Sequence, residues 1–129
     1  MEITHLGSGS RGNATLLQSD EAKVLIDCGF SGRQMERRLG RIGVDPTSID
    51  AIVLSHHHTD HGQGAEIFHK RHGAKLFANF TTCAHLGLDP VNQCRIFESL
   101  ERVQVAPGLS ILPVPVPHDG ADNVGFIIN

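Results

Sequence analysis

The chain carries four histidines and an aspartate within the stretch Ser55–His61, which reads SHHHTDH. The residues directly before this stretch, Ala51–Leu54, read AIVL and are all apolar. Such a run predicts a short buried strand that delivers the histidines at its C-terminal end. Because imidazole and carboxylate groups are common metal ligands, their clustering after a strand predicts a metal site.

Side-chain direction separates the histidines of this stretch. Side chains alternate between the two faces of an extended segment, so His56 and His58 point the same way and His57 points to the other face. Asp60 and His61 follow where the chain turns toward a helix, close enough to hold a second ion. A purification tag or an accidental surface cluster is the alternative. A tag is a terminal homopolymer, however, whereas this cluster is internal and follows an apolar run.

The pattern His-x-His-x-Asp-His after an apolar strand resembles the signature of the metallo-β-lactamase superfamily. Lys23–Gly29 (KVLIDCG) is similar to the superfamily's strand that ends in Asp-x-Gly, and Pro117–Gly120 (PHDG) lies where the superfamily supplies a further histidine. The opening Gly7–Ala14 (GSGSRGNA) resembles the start of the YycJ-like (WalJ) nuclease branch. The resemblance runs from about Ile3 to Asn129.

This resemblance implies an α/β (α+β) protein with the metallo-β-lactamase fold, a four-layer αββα sandwich built from two similar halves. We expect residues 1–129 to form one such domain that is incomplete at its C-terminus and consists mainly of the N-terminal half. Half of a sandwich leaves one apolar sheet face uncovered, and a large exposed apolar patch drives association. The resemblance therefore implies a homo-oligomer formed through the uncovered sheet face, unless further residues cover that face.

The resemblance also implies ligands for two divalent metal ions in the complete protein. His56, His58 and His118 would hold the first ion, and Asp60 and His61 would contribute to the second. Three neutral histidines leave one position of the ion open for a water molecule. The ion lowers the pKa of that water to about 7. Zinc is favoured and manganese is the alternative, because in the wider superfamily a glutamate in place of His58 accompanies redox-active iron. Asp60 is also the candidate catalytic residue.

Two further groups of residues are implied to support this site. Asp27 would lie behind the metal loop, accept a hydrogen bond from it and fix the orientation of a ligand. Ser8, Ser10 and Asn13 are candidate substrate-binding residues, because a glycine-rich loop lets the backbone approach a phosphate while these side chains donate hydrogen bonds. A plain tight turn is the alternative, and composition alone does not separate the two. A dinucleotide loop does not fit, because Ala14–Leu17 predicts a strand where a helix is required.

Composition restricts the partners and the compartment. The net charge of -3 with neutral histidines provides no global attraction to nucleic acid. Cys28, Cys83 and Cys94 show no paired spacing, which predicts reduced thiols in a cytoplasmic protein. No apolar segment reaches the ~20 residues needed to span a membrane, and no signal peptide opens the chain, so we expect no membrane association.

Three arginines recur at helical spacing in the first predicted helix. Arg33, Arg37 and Arg41 fall at positions i, i+4 and i+8 and could hold a nucleic-acid backbone. A solvated helix face is the commoner meaning of such a stripe, and Glu36 interrupts the basic field. The sequence therefore favours the solvated face.

Periodicity and turn residues predict the remaining elements. Ser31 and Gln34 form a capping-box pattern that starts a helix, and Gly40 and Gly43 offer C-terminal stops. Prolines between residues 113 and 117 predict that the segment 109–116 lies at a sheet edge or in an extended loop. The other predictions are strands at Glu2–Leu6, Ala14–Gln18, Lys23–Asp27 and Lys75–Ala78 and helices at Ala65–His72 and Thr81–Leu88.

Together these patterns predict a metal-dependent hydrolase, specifically a phosphodiesterase or nuclease that acts on DNA or RNA through a metal-bound hydroxide. The substrate rests on the glycine-rich opening and on resemblance. One alternative is a small-molecule hydrolase of the same superfamily that cleaves a thioester, a lactone or a cyclic phosphodiester. A second alternative is a metal-binding half-domain that catalyses nothing.

Overall fold

The computed structural model describes residues 1–7, 12–55, 62–116 and 124–129. These residues form nine strands, three α-helices and a short 3₁₀ turn at Pro46–Ser48. The helices are α1 (Gly32–Arg41), α2 (Ala65–His72) and α3 (Phe80–His85). The strands are β1 (Glu2–Gly7), β2 (Ala14–Gln18), β3 (Lys23–Ile26), β4 (Ala51–Val53), β5 (Lys75–Ala78), β6 (Cys94–Ile96), β7 (Val103–Ala106), β8 (Leu109–Pro115) and β9 (Val124–Ile128).

The strands form two sheets. The first has the order β1-β2-β3-β4-β5-β6, and the second has the order β7-β8-β9. In the first sheet β1, β2 and β3 pair antiparallel, whereas β3, β4, β5 and β6 pair parallel. Parallel neighbours need crossover connections, which here contain α1, α2 and α3 in turn. The C-terminal ends of β3 to β6 therefore meet along one side of the sheet, which we call the carboxyl edge.

The centre of the first sheet is buried on both faces. Along β4 and the residue after it, Ala51 and Val53 pack toward the second sheet, while Ile52 and Leu54 pack toward the helices. All four side chains are fully buried, which is why this segment reads as an uninterrupted apolar run. Helices, first sheet and second sheet thus form three consecutive layers, α, β and β.

Local signals placed most elements correctly. The capping box at Ser31 and Gln34 starts α1, as predicted, and α2 ends at Gly73, whose φ of 80° suits glycine. The third helix begins at Phe80 rather than Thr81, because the side chain of Asn79 accepts a hydrogen bond from the Thr82 amide and caps it.

The prolines of β8 do not lie where the sequence predicted. The prediction of an edge strand or loop is wrong, because β8 is the central strand of the second sheet. Ser110 and Asn129 exchange backbone hydrogen bonds, so alternate residues of β8 direct their nitrogens away from β9. Pro113 and Pro115 occupy such positions. They also lie beyond Ile111, which is the last residue of β8 that pairs with β7. Their missing N–H groups therefore remove no ladder hydrogen bond.

The outer face of the second sheet carries apolar side chains. Ile127 on β9 pairs with Leu112 on β8 and is 52% exposed. Val124, Phe126 and Ile128 point the other way and contact the core between the sheets. Among the described residues, this outer face is therefore open at Ile127.

Candidate metal centre

Ser55, which directly precedes residues 56–61 (the histidine-rich stretch), lies at the carboxyl edge beside the end of the neighbouring parallel strand β3. Asp27 follows β3, and Ser55 follows β4 and Leu54. The predicted metal ligands His56, His58, Asp60, His61 and His118 lie outside the described residues, as do Ser8 and Ser10. Of the predicted site residues, Asp27 and Asn13 are described.

The buried carboxyl of Asp27 binds the residue that precedes the histidine-rich stretch. Its Oδ1 accepts a hydrogen bond of 2.8 Å from the Ser55 amide, and its Oδ2 accepts one of 2.6 Å from the Ser55 hydroxyl. The Asp27 amide donates to the Val53 carbonyl at 2.8 Å. Asp27 is only 6% exposed, so these bonds lie in a region of low dielectric constant where they are strong.

The backbone of Asp27 is held in an unfavourable conformation. Its φ is 67°, in the left-handed region that residues other than glycine seldom adopt. Such a conformation costs about 1–3 kcal/mol and persists only where surrounding contacts determine it. Here the contacts are the bonds to Ser55 and Val53, and the turn aims the carboxyl across the sheet at the end of β4.

The chain is anchored again after the histidine-rich stretch. The Gly64 amide donates a 2.9 Å hydrogen bond to the Cys28 carbonyl. A β-carbon at position 64 would overlap the Phe30 carbonyl oxygen, so only glycine fits this approach. Both flanks of residues 56–61 are thus tied to Asp27–Phe30, the loop that follows β3.

The segment that contains His118 is anchored beside the same point. The amide of Val124, the first residue of β9, donates to the Ser55 carbonyl at 3.3 Å. Val124 also pairs with Pro115, the last residue of β8. The residues that flank positions 117–123 therefore lie next to Ser55, so the described neighbours of both segments that contain predicted ligands meet at one place on the carboxyl edge.

The described residues of the glycine-rich opening contact the same loop. The Gly29 amide donates to the Asn13 carbonyl at 2.9 Å. The Phe30 ring lies against Gly7 and Gly12, where a β-carbon at Gly12 would come within 2.6 Å of the ring atom Cδ1. Both flanks of residues 8–11 therefore contact a single aromatic side chain.

Arg38 on α1 also contacts this aromatic ring. Its guanidinium carbon lies 3.9 Å from the centroid of the Phe30 ring, and its Nη1 donates a 2.6 Å hydrogen bond to the Leu6 carbonyl. The helix thereby holds both Phe30 and the end of β1. The spacing of the arginines in the sequence gives no sign of this role for Arg38.

Cys28 is a packing residue in this loop. Its side chain is fully buried, and burial, together with the nearby charge of Asp27, raises the pKa of the thiol to about 12. The thiol therefore stays protonated at neutral pH and is a poor ligand or nucleophile. Cys28, Cys83 and Cys94 are all free, as their spacing predicted.

A cavity of about 340 Å³ opens at the carboxyl edge beside these anchors. Val124 lines it and hydrogen-bonds to Ser55, so the cavity adjoins the point where the histidine-rich stretch begins. Phe80, the first residue of α3, lines the cavity and is 64% exposed. The other lining residues are Asn79, Thr81, Phe97, Glu98, Ser99 and Pro115.

Within the described ranges, no group of three or more His, Cys, Asp or Glu side chains is placed to hold a metal ion. Residues 56–61 and 118 supply histidine and aspartate, which match the nitrogen and oxygen ligands of zinc. The donor set and its anchored flanks therefore fit a divalent ion.

Sequence reasoning assigned no role to Ser55, Gly64 or Phe30. Ser55 adjoins the histidines, but nothing local shows that its hydroxyl reaches a carboxyl 28 positions away. Gly64 and Phe30 make contacts that depend on how distant segments meet. The one usable signal was a glycine shortly after the histidine-rich stretch, which is consistent with a close backbone approach.

Comparison with known proteins agrees with this geometry. The profile of the metallo-beta-lactamase superfamily matches residues 7–128. The exodeoxyribonuclease WalJ of Streptococcus pneumoniae serotype 2 is 32% identical over 120 residues, which cover 88% of this chain and 44% of WalJ. The exodeoxyribonuclease YycJ of Bacillus anthracis is 31% identical over 126 residues, which cover 95% of this chain and 47% of YycJ.

Solved structures show the same fold. BJP-1, a subclass B3 metallo-β-lactamase of Bradyrhizobium japonicum, superposes with a TM-score of 0.81 at 17% identity, covering 98% of this chain and 53% of BJP-1. The chain belongs to the metallo-β-lactamase superfamily and has its fold, as the histidine pattern predicted. Its similarity to WalJ and YycJ places it in the YycJ-like branch.

The chain spans about half the length of the curated relatives it matches, 44% of WalJ and 47% of YycJ. Among the helices of the described residues, none is long and apolar enough to cross a membrane.

The Asp27–Ser55 contact generates a prediction about stability. Ser55→Ala removes a buried hydrogen bond to a carboxyl, so we expect the free energy of unfolding to fall by about 1–3 kcal/mol. Ser48→Ala is the matched control, because the Ser48 hydroxyl donates to the Asp45 carbonyl in an exposed turn. Its expected loss is within about 0.5 kcal/mol. Urea denaturation measures both, and equal losses would show that the Asp27 contact has no special weight.

Proposed function

We propose that the protein is a metal-dependent phosphodiesterase or nuclease that acts on DNA or RNA. The observation that carries this proposal is the anchoring of both ligand-bearing segments at Ser55, beside the buried Asp27 carboxyl. The exodeoxyribonuclease names of the relatives WalJ and YycJ support nucleic acid as the substrate.

The proposed ligands follow the order of the sequence. His56, His58 and His118 hold one divalent ion, and Asp60 and His61 contribute to a second. Zinc suits this donor set, with manganese as the alternative. A bound ion of this kind supplies Lewis acidity and a hydrolytic nucleophile at neutral pH. Asp60 is also the proposed catalytic residue.

The residues behind the ligands act by positioning. Asp27 fixes the Ser55 peptide and hence the direction in which the chain enters the histidine-rich stretch. Gly64 fixes the far flank of the stretch through the Cys28 carbonyl. A ligand set held at both flanks needs little reorganisation when it binds an ion, which favours affinity.

The cavity beside the anchors is the proposed substrate subsite. Phe80 offers an exposed aromatic face on which a nucleobase can stack, and Glu98 and Ser99 add polar groups to the rim. Ser8, Ser10 and Asn13 are the proposed phosphate-binding residues, since the glycine-rich opening is packed against the Asp27–Phe30 loop.

We further propose that residues 1–129 belong to a longer αββα domain that supplies the remaining metal ligands. The greater length of WalJ and YycJ and the open outer face at Ile127 support this. Without that cover the same face would join two copies of the chain as a homo-oligomer. The free thiols Cys28, Cys83 and Cys94 support a reducing compartment, the cytoplasm.

The first prediction from this proposal concerns the metal ligands. We expect His56→Ala, His58→Ala and His118→Ala each to lower the affinity for the first ion by more than roughly 100-fold. Loss of a residue that only hydrogen-bonds to a metal ligand costs roughly 10–100-fold, and loss of the ligand itself should cost more. His57→Ala is the control and should bind zinc like the wild type, because alternation along an extended segment predicts that the His57 side chain points to the other face. Calorimetric zinc titration of the variants measures this. Equal losses at His57 and His58 would contradict the strand geometry.

The second prediction tests the activity itself. We expect the full-length protein to cleave end-labelled DNA or RNA, to lose this activity in a chelator and to regain it with zinc or manganese. Single- and double-stranded forms of both nucleic acids separate the substrate classes on a denaturing gel. Metal-dependent hydrolysis of a thioester or lactone with no cleavage of nucleic acid would instead establish a small-molecule hydrolase.

The third prediction concerns Phe80. Because stacking of one base on an aromatic ring contributes about 1–3 kcal/mol, we expect Phe80→Ala to weaken binding of single-stranded nucleic acid by about 5- to 150-fold. Phe80→Tyr should keep the affinity, and Phe80→Leu, which keeps apolar bulk but no ring, should lose it. Fluorescence anisotropy with a labelled oligonucleotide measures each variant. Equal affinity for the Leu and Tyr variants would exclude stacking.

A further inference from the structure

The outer surface of α1 carries three exposed arginines, Arg33, Arg37 and Arg41, which we call the arginine stripe. Residues four apart on a helix are separated by about 6 Å along its axis, so the stripe extends over about 12 Å. This spacing is comparable with the distance between neighbouring phosphates of an extended nucleic-acid strand. Arginine also matches phosphate geometry with its planar fork of N–H donors.

The acidic residue of the same helix does not face the stripe. The Glu36 carboxylate is 2.6 Å from His72 Nε2 and accepts a hydrogen bond of 3.2 Å from Arg71, and both partners lie on α2. The hydrogen bond with His72, reinforced by the Arg71 guanidinium, lowers the pKa of Glu36. The Glu36 carboxylate is therefore paired with the neighbouring helix and not with the arginines of the stripe.

The arginine stripe also differs from its basic neighbours in what it contacts. Arg38 holds Phe30 and the Leu6 carbonyl, Arg71 pairs with Glu36, and Lys70 lies 3.6 Å from Glu66. In the described part of the chain, no ion pair joins the arginines of the stripe to an acidic side chain. Their guanidinium groups are therefore available to an external anion.

The stripe starts on the side of the sheet where Asp27 and Ser55 lie. Gly32, the first residue of α1, lies against Ile67 and Arg71 of α2, and the helix follows directly on the loop that begins with Asp27. Arg33 is consequently at the carboxyl edge, and Arg41 is at the far end of the helix. A nucleic-acid strand lying along the stripe would have one end at the carboxyl edge, where the Asp27–Ser55 contact lies.

We propose that the arginine stripe binds the sugar–phosphate backbone of a nucleic-acid strand and leads that strand to the metal centre. This inference rests on the proposed function and adds the surface by which substrate is held. The chain as a whole carries a net charge of -3, so its attraction for nucleic acid has to come from a local cluster of this kind.

The test compares the full chain with the variant R33Q/R37Q/R41Q, because glutamine retains good helix propensity. Binding of a short labelled single-stranded DNA is measured by anisotropy over a range of salt concentrations, in chelator so that no cleavage occurs. Each phosphate contact contributes about 0.7 to the slope of log affinity against log salt, so the variant should lose about 2 from that slope. Thermal unfolding checks that the variant is folded.

The matched control is K23Q/K75Q/R95Q, which removes the same charge from strands β3, β5 and β6. It should keep the wild-type slope. An equal reduction of the salt slope in both variants would overturn the proposed role of the stripe, because the slope would then follow the total charge of the chain. A reduction confined to vesicles containing phosphatidylserine, with DNA binding unchanged, would also overturn it and identify a membrane surface instead.

The outcome separates the stripe from the proposed function. If DNA binding depends on the stripe but the wild-type protein cleaves no nucleic acid, the proposed role of the stripe is supported and the nuclease proposal is rejected. Metal-dependent cleavage by a protein whose binding slope is the same in wild type and R33Q/R37Q/R41Q would reject the stripe and leave the nuclease standing.

Discussion

The pair of hydrogen bonds between the Asp27 carboxyl and Ser55 is the interaction on which the candidate metal centre depends. It joins the ends of two parallel strands and holds Asp27 in a left-handed conformation that few side chains adopt. The first residue ahead of the histidine-rich stretch is thereby fixed in position. Gly64 is fixed at the other flank, so the described neighbours of residues 56–61 on both sides are held in one small area of the sheet.

The parallel sheet explains why this area lies where it does. Crossover helices bring the ends of β3 to β6 to one edge, so that side chains far apart in sequence meet there without disturbing the core. The scaffold at that edge is buried, as Asp27 and Cys28 show, whereas Phe80 and the arginine stripe are exposed. Buried anchoring and exposed surface are therefore supplied by different residues of the described chain.

The sequence predicted the elements whose signals are local. The apolar run of β4, the capping box of α1 and the terminal glycine of α2 each act within a few residues, and each was placed correctly. The central position of β8 was missed because the cost of a proline depends on which strand its nitrogen faces. The bonds of Ser55 to Asp27 and of Glu36 to α2 join residues 28 or more positions apart, and no local pattern encodes them.

The Glu36 contact shows why charge patterns read from sequence alone can mislead. On the helix wheel of α1 an acid among four arginines reduces the field, yet packing directs that acid to Arg71 and His72. Burial in turn directs Arg38 to Phe30, although its sequence spacing differs little from that of its neighbours. Packing thus gives the charged residues of one helix three roles. Arg38 contacts the flank of the glycine-rich opening, Glu36 joins two helices, and the three arginines of the stripe face solvent. Only the last group can attract a polyanion, and its strength depends on position and not on the net charge of the chain.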